Sequence, residues 1–152
     1  MSFEKVSEQD GREVWLAVLA APEEVSRWVG TAKPRGGVLA YLDDWDADEL
    51  GRFCAEILKL EPSEMAFGGA AAADAREALS LVDPEMPSTV RSDEPLDESA
   101  RYMFFASYEP DPATRRQPPL IVAFRDGDPR IQQFKRIAAR FPDAMTEVLE
   151  RE

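Results

Sequence analysis

The sequence predicts an α/β domain: a mostly parallel sheet of four or five strands held between two helical layers. Three observations predict it. Short apolar runs of strand length recur, clearest in VLAYL at 38–42 and LIVAF at 120–124. Between them lie stretches of roughly 10–15 residues with apolar positions at helical spacing. Clusters of Gly, Pro and Asp separate the two kinds of segment. Strands that alternate with such helices imply right-handed crossovers and a parallel sheet. The 152 residues, 44% of them hydrophobic, suit one domain with its own core. That domain divides into an N-terminal strand, helix and loop over 1–36 and core βα repeats over 37–150.

Glu13–Ala20 (EVWLAVLA) is apolar and of strand length, although its leucines and alanines also suit a helix. Pro22-Glu23-Glu24 reads as a helix start ending near Gly30, with proline in the first turn and acids at the positive dipole end. Residues 31–37 are a loop on composition. After the strand at 38–42, Asp46 or Asp48 opens a helix on which Leu50, Phe53, Cys54, Ile57 and Leu58 form one stripe. Met65-Ala66-Phe67 before Gly68-Gly69 suggests a second strand with a tight turn, and alanine-rich sequence from Ala71 a second helix. Thr89 and Val90 favour a short strand at 88–91. The segment from Leu96 keeps helical spacing through Ala100, Met103 and Phe104, though Tyr102, Phe104 and Ala106 also alternate; helix is the preferred reading. Residues 109–119 carry four prolines and read as a loop. A last helix begins near Pro129, with a kink expected at Pro142.

Several chemistries are excluded or disfavoured outright. The chain has no histidine and one cysteine, Cys54. A Ser-His-Asp triad, an internal disulfide and a cysteine-based zinc site are therefore impossible. Cys54 lies on an apolar stripe and reads as core. FGGAAAADA is neither a dinucleotide fingerprint nor a lysine-bearing phosphate loop. The formal net charge of −12 argues against nonspecific binding to nucleic acid or an anionic membrane. Met1–Lys5 does not begin as a signal peptide does, and no apolar run approaches a membrane span, so a cytoplasmic location is expected.

In open α/β sheets ligands gather outside the carboxyl ends of the strands. Here those ends carry Asp43 and Asp44, then Gly68 and Gly69, then Ser92 and Asp93, and finally Arg125, Asp126 and Asp128. Two readings follow. Asp43, Asp44, Asp93 and Asp126 could converge as hard ligands for Mg²⁺ in a phosphoryl-transfer or phosphate-binding site. Alternatively these acids cap separate helices and favour their dipoles. The charge is uneven as well. Residues 43–64 carry eight acids against Arg52 and Lys59, and residues 93–111 six against Arg101, while the basic residues gather towards the C-terminus. An acidic face built from Asp43, Asp44, Trp45, Asp46, Asp48, Glu49, Asp93 and Glu94 would steer a basic protein partner. Trp45 either caps the core or anchors that partner.

YLDDWDADELGRFCAEIL, a strand ending MAFGG, then SDEPLDESARYMFF and LIVAF follow one another between Val38 and Phe124. In these segments the chain resembles a group of bacterial Rossmann-like domains of unknown function. The resemblance implies a three-layer Rossmann-like sandwich and carries over no catalytic residue. The expectation from sequence is a non-catalytic binding or regulatory module, of immunity or adaptor type, with no cofactor. The Mg²⁺-dependent phosphate chemistry stands as the alternative.

Overall fold

The computed structural model describes residues 2–9, 12–28, 36–106 and 119–139. They form a six-stranded sheet rather than four or five strands: β1 (Ser2–Gln9), β2 (Arg12–Leu19), β3 (Gly37–Tyr41), β4 (Glu64–Gly68), β5 (Ser88–Arg91) and β6 (Leu120–Arg125). The helices are α1 (Ala47–Ile57), α2 (Ala72–Val82), α3 (Leu96–Ala106) and α4 (Arg130–Ala139). The short helix expected from Pro22 is present as a 3₁₀ helix, Pro22–Trp28. Most of the 31–37 loop, the 109–119 loop up to Pro118, and the kink expected at Pro142 lie outside the described residues.

The strand order is β1-β2-β6-β3-β4-β5. All neighbours are parallel except β1, which runs antiparallel to β2 at the edge. Glu13–Ala20 therefore supplies an interior strand. β1 was not expected, because SFEKVSEQ is mostly polar. An Asp10-Gly11 pair between the two strands, a dipeptide favoured in two-residue hairpin turns, was the signal available.

Alternate side chains of the interior strands enter two cores. One holds Ala17, Leu19, Val38, Ala40, Met65, Phe67, Ile121 and Ala123 against α1, α2 and Val25 of the 3₁₀ helix. The other holds Val14, Leu16, Leu39, Ala66, Leu120, Val122 and Phe124 against α3 and α4. Because both faces are covered, β3 and β6 read as unbroken apolar runs, as buried parallel strands do. The connections through α1 and α2 step outwards across one face, and α3 returns across the other. This is the winding that uniform right-handed crossovers require. β6 thus inserts between β2 and β3, and the helices after the adjacent strands β3 and β6 leave on opposite faces. That makes the carboxyl ends of β3 and β6 the switch point of the sheet.

Candidate functional site

At the switch point the chain leaves β3 through Asp43 and Asp44. Asp44 takes a left-handed backbone (φ 69°), a conformation aspartate tolerates better than most residues. Asp43 turns inwards. One carboxylate oxygen accepts the backbone N–H of Ala71 at the start of α2 (3.0 Å), and the other meets the Arg130 guanidinium at 2.5 Å. Arg130, the first residue of α4, also reaches Asp128 (2.9 Å), whose carboxylate accepts the Arg130 backbone N–H. Arg125, at the end of β6, donates to the Asp43 carbonyl at 2.7 Å and stands 3.8 Å from the Asp44 carboxylate. Gly69 (φ 77°) passes so close that a Cβ there would strike both Arg130 and Asp43, and a Cβ at Gly68 would run into the Tyr41 ring. The Gly-Gly pair therefore makes room for side chains of this network.

The Arg130 guanidinium lies 4.6 Å from the Tyr41 ring, which stacks on Phe124. Burial opposes the charge on Arg130, yet hydrogen bonds and the fields of Asp128 and Asp43 outweigh it and raise its pKa further. Burial pushes the Tyr41 phenol up to about 12, with Ser99 and Arg130 pulling the other way. The edge is thus an arginine–carboxylate network in which Asp43 and Asp128 satisfy Arg130, while Arg125 rests on the Asp43 carbonyl.

The four carboxylates considered for Mg²⁺ do not assemble. Asp43 is taken by Ala71 and Arg130, while Asp44 and Asp126 are exposed. Asp93 follows β5, two strands from β3 and so roughly 10 Å away. Among the described residues no group of three or more His, Cys, Asp or Glu could hold a metal ion. Asp43 is claimed by the start of α2 and by Arg130, and the exposed Asp44 faces Arg125.

The acids around α1 are arranged differently. Asp46 is its N-cap in a full capping box: its side chain accepts the Glu49 N–H (2.9 Å), and the Glu49 side chain accepts the Asp46 N–H (3.1 Å). Both still leave carboxylate oxygens to solvent. Asp44 and Asp48 side chains are 92% and 80% exposed. Arg52, the one basic residue of α1, is matched by Asp48 and Glu23. Trp45 is buried against Phe53 (5.9 Å), with the Arg125 guanidinium 5.6 Å from its ring. It caps the core and is not displayed as an anchor. Glu94 pairs with Arg91, whose guanidinium lies over Tyr102. With α3 on the other face, Glu94 and Asp93 stand apart from the α1 acids.

Sequence reasoning missed one surface. α1 and α2 pack side by side, and the groove between them is lined by Leu50, Gly51, Ala78, Leu81 and Val82, with Asp46, Asp74 and Glu77 at its rim. Leu81 and Val82 are 84% and 44% exposed, the large hydrophobics left in solvent among the described residues. Asp74, Glu77 and Leu81 at i, i+3 and i+7, beside the buried face that holds Ala78, were the available signal.

Cys54 is buried on α1, and burial pushes its thiol up to about 12. A thiol so rarely ionised near neutrality is a poor nucleophile.

Together these features define a three-layer, Rossmann-like α/β fold with a salt-linked switch point and an acidic helical layer. Among solved structures, the crystal structure of UDP-N-acetylmuramate-alanine ligase MurC from Thermotoga maritima is similar. It matches with a TM-score of 0.58 over 93% of this chain at 13% identity, and this chain spans 30% of that one. Likeness at that identity is a likeness of fold. No protein-family model and no curated protein sequence matches the chain. No described helix is long and apolar enough to cross a membrane.

Proposed function

We propose that this protein is a non-catalytic binding or regulatory module that recognises a basic protein through the acidic layer formed by α1, its N-terminal turn and α2. The observation that carries this reading is the state of the acids there. Asp44, Asp48, Asp74 and Glu77 are exposed, Arg52 of α1 is already matched by two carboxylates, and α2 adds a single exposed cation, Arg76. A net excess of exposed charge of one sign focuses a field that raises the association rate of an oppositely charged partner. The switch point supports the same reading from the other side. Its Arg130 is occupied by Asp43 and Asp128 and its Arg125 by the Asp43 carbonyl, and the chain's one thiol is buried and held protonated.

A direct test compares two variants of equal net charge. One neutralises Asp44, Asp48, Asp74 and Glu77 to their amides; the other does the same to Glu85, Asp97, Glu98 and Asp126, which lie outside this layer. Binding of a lysine-rich peptide at low salt is expected to weaken about tenfold or more in the first variant and little in the second. Equal loss in both, or no binding by the unaltered protein, would refute the reading.

A further inference from the structure

We infer that the groove between α1 and α2 is the docking site for an amphipathic basic helix presented by a partner protein. The inference rests on the reading above and assigns the partner's chemistry. Two properties of the groove select it. The floor is apolar and ends at Leu81, 84% exposed on a helix whose alanine face is otherwise buried. The rim is acidic on both walls, with Asp46 on the α1 side and Asp74 and Glu77 on the α2 side, and among the described residues no cation lines it. An occupant must therefore carry an apolar stripe flanked by positive charge.

The secondary structure of the occupant follows from hydrogen bonding. α1 and α2 satisfy their own backbone groups, so the groove offers no ladder for an extended peptide to join. An extended chain would press unpaired N–H and C=O groups against apolar side chains. A helix brings its backbone already paired and lays ridges of side chains into the furrow between two helices. α1 and α2 have 11 residues each and run about 16 Å, so the furrow accepts about three turns of such a helix. Gly51 deepens the furrow. A Cβ there meets nothing within 4 Å, so the α1 wall stands open where a helical partner would lay an apolar side chain.

The test uses the whole protein and two labelled peptides of about 18 residues, long enough to hold helix. Both contain only lysine, leucine and alanine in one composition. In the first, leucines fall at i, i+3, i+4 and i+7; in the second, the order is scrambled so that no stripe exists. Fluorescence anisotropy is expected to show the striped peptide binding at least tenfold more tightly. Leu81→Asp and Gly51→Phe, one removing the apolar floor and the other filling the furrow, are each expected to cost the striped peptide tenfold or more. The scrambled peptide should respond little to Gly51→Phe. Gly51→Phe keeps the test decisive should Leu81→Asp fold poorly. Equal affinity for the two peptides overturns the groove and leaves the acidic-layer reading standing. Absence of binding by either peptide at low salt overturns both. Unchanged binding by folded Gly51→Phe overturns the groove. So does sedimentation showing a dimer that dissociates on replacing Lys135 and Arg136 of α4, because a second copy would then be the occupant.

Discussion

Individual positions show how strictly the fold uses its side chains. Gly51 sits mid-helix with open space around its missing Cβ. Glycine in a helix interior costs about 1 kcal/mol relative to alanine, so Gly51→Ala is expected to raise stability by roughly 0.5–1 kcal/mol, read from the denaturant midpoint at unchanged m-value. A loss of stability would show that the helix needs glycine there. Cys54 and Tyr41 give a pH dependence of definite sign. Both pKa values are raised to about 12 by burial, from 9.0 and 10.0. Between those limits the unfolded chain releases protons that the folded chain keeps, so stability is complete below pH 9 and is lost as pH climbs towards 12. Cys54→Ala removes one such proton. The slope of unfolding free energy against pH over that window is expected to flatten by up to about 1.4 kcal/mol per pH unit. An identical slope in the variant would mean that the thiol ionises equally in both states.

Among the elements, the link between β3, α2 and α4 is the one that side chains make most specifically. Arg130 binds Asp43 and Asp128 at once, and Asp43 caps α2 through Ala71. Exposed pairs are worth about 0–1 kcal/mol, whereas removing one partner of a buried pair costs about 3–5 kcal/mol. Asp43 and Arg130 are each about a quarter exposed while the Asp128 side chain is 6% exposed, which places this network between the two regimes. Arg130→Met is expected to cost roughly 2 kcal/mol, a fall in Tm of roughly 5 °C by calorimetry. A change within about 1 °C would mean that solvent already screens the network.

On the scale of the whole molecule, a net charge of −12 surrounds two apolar cores. Charge of that size steers encounters but does not choose a partner, and its reach shrinks to about 10 Å at 0.1 M salt. Affinity for the lysine-rich peptide should therefore fall steeply with ionic strength. The added affinity of a striped helix, which comes from apolar contact at Leu81, should persist. The same chain thus separates a salt-dependent term spread over a layer from a contact term confined to one furrow.

Much of the architecture was legible because it rests on local pattern. VLAYL and LIVAF are apolar throughout since buried parallel strands face a core on both sides. The stripe from Leu50 to Ile57 marks α1, and Asp46 or Asp48 its start, without any tertiary knowledge; the structure shows that Asp46 is the cap. β1 escaped notice because an edge strand buries little and so carries little pattern. Strand order is a different matter. Nothing local places β6 between β2 and β3, yet that placement alone brings Arg125, Asp128 and Arg130 to Asp43 across more than eighty residues of chain. Residue periodicity reports which face of an element is apolar, and so the acidity, the helix stripes and the layered class followed from sequence. Which elements become neighbours depends on how those faces pack together. Only the tertiary structure therefore decided that Asp43 and Asp128 are spent on Arg130, that Trp45 is buried, and that Leu81 stands exposed in a groove with acidic walls.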